Sequence, residues 1–178
     1  MVDSTPIYGL PYQEDDDPPN GPLLSQSLAE AAEAAIRDVG RVVGYYSNTG
    51  TVQTVTTAGQ TICTAATALR PGWAYDVTVR SQVSTSAALD FLPQIRRPDS
   101  SILVDYGRQG LPATGARFYE FRCSFRTAPT FTAATVGIVF RGTVSAGTAA
   151  FKGFASGPFE MVVRQAGAYD DCPGAPTY

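Results

Sequence analysis

The sequence contains no histidine. A Ser-His-Asp or Cys-His catalytic arrangement is therefore excluded, and so is a histidine-ligated metal. Charge is scarce: only 16% of the 178 residues are Asp, Glu, Lys or Arg, against about 25% in an average protein. The net charge of −3 and pI of about 4.8 argue against wholesale binding to nucleic-acid phosphates. No apolar run approaches the roughly 20 residues of a membrane span. The stretch from Met1 to Asp17 lacks the basic start and apolar middle of a signal peptide. The three cysteines, Cys63, Cys123 and Cys172, are far apart and form no CxxC pair. They make neither a disulfide framework nor a zinc signature, and suit reduced thiols made in a cytoplasm, with Cys63 and Cys123 expected inside as small apolar residues. The glycine patterns that cradle phosphates are missing, as is a GxSxG elbow. No cofactor is expected.

What is present is turn-rich and β-prone. Glycine and proline are frequent, with 17 and 13 residues, and Thr, Ser, Val and aromatics abound. The chain changes character twice. Residues 1–22, MVDSTPIYGLPYQEDDDPPNGP, hold five prolines, the acidic run Glu14 to Asp17 and no basic residue. Such a segment cannot build a core, and its prolines favour an extended backbone. Ile7, Tyr8, Leu10 and Tyr12 nevertheless supply apolar anchors. The arm reads either as a loose terminus or as a peptide that docks on a partner.

Residues 23–43, LLSQSLAEAAEAAIRDVGRVV, form the one helical segment, rich in strong formers, with Pro22 before it and Gly40 to end it. Leu24, Leu28, Ala31 or Ala32, Ala35, Val39 and Val42 recur three or four apart and give one narrow apolar stripe. That stripe packs either on the same chain or in a short parallel bundle of identical helices. From Gly44 to Tyr178 the pattern is β. Strands are predicted at 51–57, 60–67, 73–81, 88–96, 101–106, 117–126, 135–141 and 159–165, with an extended tail from Ala168. Several alternate cleanly: Tyr75, Val77 and Val79 point one way, Asp76, Thr78 and Arg80 the other. About eight short strands with no helix between them predict a mainly β fold, an antiparallel, jelly-roll-like β-sandwich preceded by an extended arm and one short helix.

Candidate chemistry is thin. The carboxylates Asp76, Asp90, Asp105, Glu120 and Glu160 would need a pair about 5–9 Å apart to act as a glycosidase, and their strand positions place Asp76 and Glu120 on solvent faces. The run Glu14–Asp17 lacks the spaced ligands of a calcium loop. Arginines recur on polar strand faces, at Arg80, Arg96, Arg117, Arg122, Arg126, Arg141 and Arg164. They serve solubility, or an acidic or glycan neighbour. Trp73 is expected in the core; exposed Trp73, Tyr106 or Tyr119 around a concave face would instead favour sugar stacking.

The opening TPIYGLPYQEDDDP, followed by LLSQSLAEAAEAAI, resembles the N-terminus of minor tail, fibre and decoration proteins of tailed phages infecting actinobacteria. The strand-like segments RPGWAYDVTVR, Phe91 to Arg97 and Phe118 to Arg126, and the closing stretch from Gly137 to Tyr169, are similar too. An arginine-for-lysine bias, with Lys152 the one lysine, and only two asparagines fit a GC-rich source. The chain departs from extended fibres in having no long repeat. The resemblance implies a non-enzymatic virion protein, made in the host cytoplasm and housed in the virion. Residues 1–22 would dock on capsid, collar or tail through Pro6, Ile7, Tyr8, Leu10, Pro11 and Tyr12. A helix within residues 23–43 would build a homotrimer through Leu24, Leu28, Ala31, Ala35 and Val39, and residues 44–178 would form the displayed sandwich. A receptor- or host-glycan-binding tail head is the second reading. Neither nucleic acid nor membrane is an expected partner.

Overall fold

The computed structural model describes residues 3–4, 11–12, 21–50, 52–85, 87–113, 116–153, 157 and 159–178. The chain divides into two compact units, Met1–Arg41 and Val42–Tyr178. In the first, strands β1 (Asp3–Ser4) and β2 (Pro11–Tyr12) pair antiparallel, with Asp3 opposite Tyr12 and Ser4 opposite Pro11. The described parts of the arm thus fold back on each other instead of running out in line. The helix α1 spans Gly21–Asp38. It starts two residues earlier than the sequence suggested, because Pro22 is accepted in a first helical turn, where its missing N–H is not needed. Gly40, at φ +80°, ends it, since this left-handed backbone is cheap for glycine alone. Val42 and Val43, expected at the end of the helical segment, instead open the first strand of the second unit: both are β-branched and lie beyond the glycine stop.

The second unit is mainly β, an antiparallel jelly-roll-like sandwich. Its strands are β3 (Val42–Asn48), β4 (Gln53–Val55), β5 (Gln60–Leu69), β6 (Trp73–Thr85), β7 (Leu89–Arg96), β8 (Ile102–Asp105), β9 (Gln109–Leu111), β10 (Ala116–Arg126), β11 (Ala134–Val144), β12 (Ala149–Lys152) and β13 (Phe159–Ala168). Hydrogen bonding runs β10-β6-β13-β3, crosses at Gly44 opposite Thr67, and continues β5-β11-β7, with β8 and β9 both on β7. β12 continues the ladder along the far half of β6 and carries β4. The crossing needs a glycine: a Cβ at Gly44 would lie 2.2 Å from the Thr67 hydroxyl oxygen.

Strands distant in this order touch through their side chains, so the sheet folds over into two layers. Phe91 of β7 meets Phe121 of β10 at 5.8 Å between ring centroids and Phe151 of β12 at 5.1 Å. Phe140 of β11 meets Phe121 at 5.5 Å. Cys63 of β5 directs its thiol to the Met161 sulfur of β13 at 3.7 Å. The expected alternation holds: Tyr75, Val77, Val79 and Phe125 are fully buried between the layers. Cys123, expected inside, is only half-buried, because β10 is the last strand of its layer and its flank is thinly covered.

One core residue breaks the apolar pattern. Gln165, on the inward face of β13, is 1% exposed, and neither its amide nitrogen nor its oxygen has a hydrogen-bond partner among the described residues. A buried amide left unbonded costs about 1–3 kcal/mol. Gln165→Met keeps the shape and removes the polar atoms, so we expect a gain of about 1–2 kcal/mol, read as a melting temperature raised by a few degrees. A lowered melting temperature would show that the amide has a structural job.

The tail is not a free end. After the 3₁₀ turn Tyr169–Asp171 it returns along β10. The Arg126 N–H donates to the Pro176 carbonyl at 2.9 Å, and the Tyr178 N–H to the Arg126 carbonyl at 2.7 Å. The Tyr178 ring packs on Phe125 and Phe131, with the Arg97 guanidinium 5.4 Å from its centroid. Aromatic contact and a cation over the ring are what tie down a segment whose prolines alone would leave it loose.

Candidate functional site

Two surfaces stand out, one on each unit. The first is the apolar side of α1. Leu28 is 44% exposed and Ile36 75%, and Val39, just beyond the helix, is also exposed. Ala31 is half-buried. Of the other expected stripe residues, Leu24 and Ala35 lie within α1, and their side chains fall outside the description. Ile36, absent from the expected stripe, is the most exposed large apolar residue of the described helix. It stands four residues from Ala32 and eight from Leu28, on the row adjacent to the stripe, so its signal was the i, i+4, i+8 spacing. Along the polar side, Gln26 donates to Glu30 at 2.9 Å and Arg41 pairs with Asp38 at 3.3 Å. Of the arm residues, Pro11 and Tyr12 form β2, whereas Pro6, Ile7, Tyr8 and Leu10 lie outside the described residues.

The second surface is the outward face of β3-β13-β6-β10. The register fixes it in rows. Glu160, Arg80 and Glu120 stand side by side across β13, β6 and β10; so do Arg164, Asp76 and Ser124, and so do Tyr45, Val162, Thr78 and Arg122 on four strands. Arg80 donates through Nε to Glu120 and through Nη1 to Glu160, the latter at 3.4 Å; Arg122 also bonds Glu120. Ser124 donates to Asp76 at 2.6 Å. The Arg164 side chain makes no hydrogen bond or ion pair among the described residues. Asp76, Thr78, Arg80, Arg122, Ser124 and Arg164 line a groove of about 450 Å³.

The electrostatics of this face suit binding rather than acid–base work. Hydrogen bonds from Arg80 and then Arg122 hold the Glu120 carboxyl below its usual range. A general acid at neutral pH needs the opposite shift. Glu120 and Glu160 are close, but both grip one guanidinium. Elsewhere, burial pushes the Cys123 thiol up to about 11 and the Tyr106 phenol above its usual range. Neither is poised as a nucleophile. Among the described residues no cluster of three potential metal ligands occurs, and no helix is long and apolar enough to cross a membrane. Trp73 is core, at the sheet end where its backbone N–H donates to the Thr127 hydroxyl oxygen. Tyr119 is half-buried and stacked on Phe121. Among the described residues the exposed aromatics are Tyr45 and Phe118, which sequence reasoning passed over. Each lies on the outward side of its strand, a parity readable only once the register is known.

No protein-family model and no curated protein matches the chain. Solved structures align with it distantly. The crystal structure of the infectious bursal disease virus VP2 subviral particle is 14% identical, with a TM-score of 0.45, covering 75% of this chain and 35% of that one. The infectious bursal disease virus Gx strain structure is 14% identical, with a TM-score of 0.40, covering 72% and 39%. The CBM22-1 xylan-binding domain of Paenibacillus barcinonensis Xyn10C is 11% identical, with a TM-score of 0.37, covering 74% and 98%. The chain spans about a third of the length of the viral proteins it aligns with. At these TM-scores the likenesses carry no argument about what this chain binds.

Proposed function

We propose that the chain is a non-enzymatic structural protein of a tailed phage virion, a minor tail, collar-spike or capsid-decoration component. In this reading residues 1–22 dock on another virion protein, α1 gathers three copies, and the sandwich is displayed. The observation that carries it is the bare apolar side of α1. Leu28 and Ile36 lie in water on a helix of 18 residues, with the exposed Val39 just beyond it, and a helix of that length is marginal alone. Three copies meeting along Leu24, Leu28, Ala31, Ala35 and Val39 bury that side, as in a short parallel bundle. Charge supports a division of labour. The first unit has two basic and eight acidic residues, while the sandwich has eleven basic and eight acidic. The sequence resemblance to phage minor tail, fibre and decoration proteins supplies the setting. Three arms on one trimer gain avidity, so a weak single arm suffices.

Deleting residues 1–20 is expected to leave a trimer of unchanged melting temperature that no longer appears in purified particles. Quantitative mass spectrometry of particles from a complemented phage checks it. Incorporation at the wild-type level would sink the docking role.

A further inference from the structure

The groove on the outward face of β13, β6 and β10 holds more hydrogen-bonding capacity than its own side chains use. Glu120 and Glu160 occupy Nε and Nη1 of Arg80, and Glu120 also takes Nε of Arg122. Both terminal nitrogens of Arg122 and the whole exposed guanidinium of Arg164 are left without a partner among the described residues. Asp76 accepts from Ser124 through Oδ1, and its Oδ2 stays open among the same residues. In the lining itself three arginines face one carboxylate, Asp76. The register spaces these groups. Arg164, Asp76 and Ser124 form one row, and Thr78 and Arg122 belong to the next, about 7 Å along the strands. Arg164 and Arg122 therefore stand two strands apart, roughly 10 Å, on either side of β6.

We propose that this groove binds a carboxylated saccharide, a chain or branch containing uronic acid. A carboxylate on the Arg164 fork makes two parallel charge-assisted bonds. Hydroxyls of the same sugar then donate to Asp76 and accept from Arg122. That mixture of acceptor and donor suits a ligand whose every hydroxyl is both. Tyr45, 53% exposed on β3, lies opposite Val162 and so diagonal to Arg164, within reach for an aromatic beside a long side chain. Its ring is a platform for the neighbouring sugar. Other anions fit less well. The closely spaced phosphates of a nucleic acid would meet Asp76, Glu120 and Glu160 on the same face, in a chain of net charge −3. An acidic peptide would find side chains here and no open backbone ladder to extend. The proposal concerns the sandwich alone and is independent of how α1 assembles.

The test is calorimetric titration of the full-length protein with tetrasaccharides of galacturonic, glucuronic and mannuronic acid. At least one should bind, and its methyl ester should bind about tenfold more weakly. Arg164→Ala should weaken the acid by about tenfold, the loss expected for a bond to a charged group, and leave the ester unchanged. Arg108→Ala removes an exposed cation outside the groove and should change nothing, which separates the site from overall charge. Tyr45→Ala should weaken acid and ester alike. Melting curves select the folded variants for comparison. No binding of any of the three acids at millimolar concentration would overturn the proposal. So would equal affinity for acid and ester, or an Arg164→Ala variant that binds as wild type does. A tetraglutamate peptide that binds as tightly as the best saccharide would assign the groove to an acidic protein instead.

Discussion

Phe91→Ala is expected to cost about 3–5 kcal/mol, the range for removing a large aromatic ring from a well-packed core. The ring is fully buried on β7 and touches Phe121, Phe140 and Phe151, so it joins both layers at one point. Its other side lies on Gly142 of β11, where a Cβ would come within 2.1 Å of the ring. The loss should appear as a melting temperature lowered by roughly 10 °C and a lower denaturant midpoint with little change in slope. The glycine supplies an internal control. Gly142→Ala alone overpacks the ring and should cost about 1–3 kcal/mol. In the Phe91→Ala background the added methyl enters the vacated space, so the double variant should be more stable than the sum of the two losses. Additive losses in that cycle would mean that ring and glycine are not in contact.

Leu28→Asp combined with Ile36→Asp is expected to reduce the trimer to single chains. Burying an aliphatic side chain is worth about 1.5–3 kcal/mol, and each substitution acts three times around the axis. Two carboxylates per helix also bring six like charges together. Sedimentation velocity should show one species at a third of the wild-type mass. The sandwich should melt unchanged, because these side chains are no part of its core. Wild-type mass in the double variant would dismiss α1 as the assembly element.

Much of the sandwich is legible in the sequence. Strands such as β6 and β10 announce themselves because one face is buried and the other wet, so apolar and polar residues alternate. β9 and β12 went unread since QGL and AAFK are too short and too small to carry a period. β3 is absent from the predicted strands, because its first residues continue an apolar stripe begun in the helix. The tail was misread for a different reason: its prolines describe local stiffness, while its place is set by Arg97, Phe125 and Phe131, far away in sequence. The face carrying Arg80, Glu120 and Glu160 was visible as polar alternation, but the sharing of one guanidinium by two carboxylates depends on three strands lying side by side. Gln165 could not have been foreseen, since its position on β13 matches both a core and a surface assignment.

β13 lies between β3 and β6 and hydrogen-bonds to both along most of its length, yet of the eleven strands it is the last to be synthesised. While it is still in the ribosome, β3 and β6 each hold an unfilled edge on either side of a missing neighbour, and Phe159, Met161 and Val163 have not reached the core they complete. The layer cannot close strand by strand as it is made. It closes in one late step, spanning more than a hundred residues of chain between Val42 and Arg164. Contacts at such separation place folding in the slow, millisecond-to-second class. The newly made sandwich therefore passes through an interval in which it lacks one strand and is still open to wrong partners.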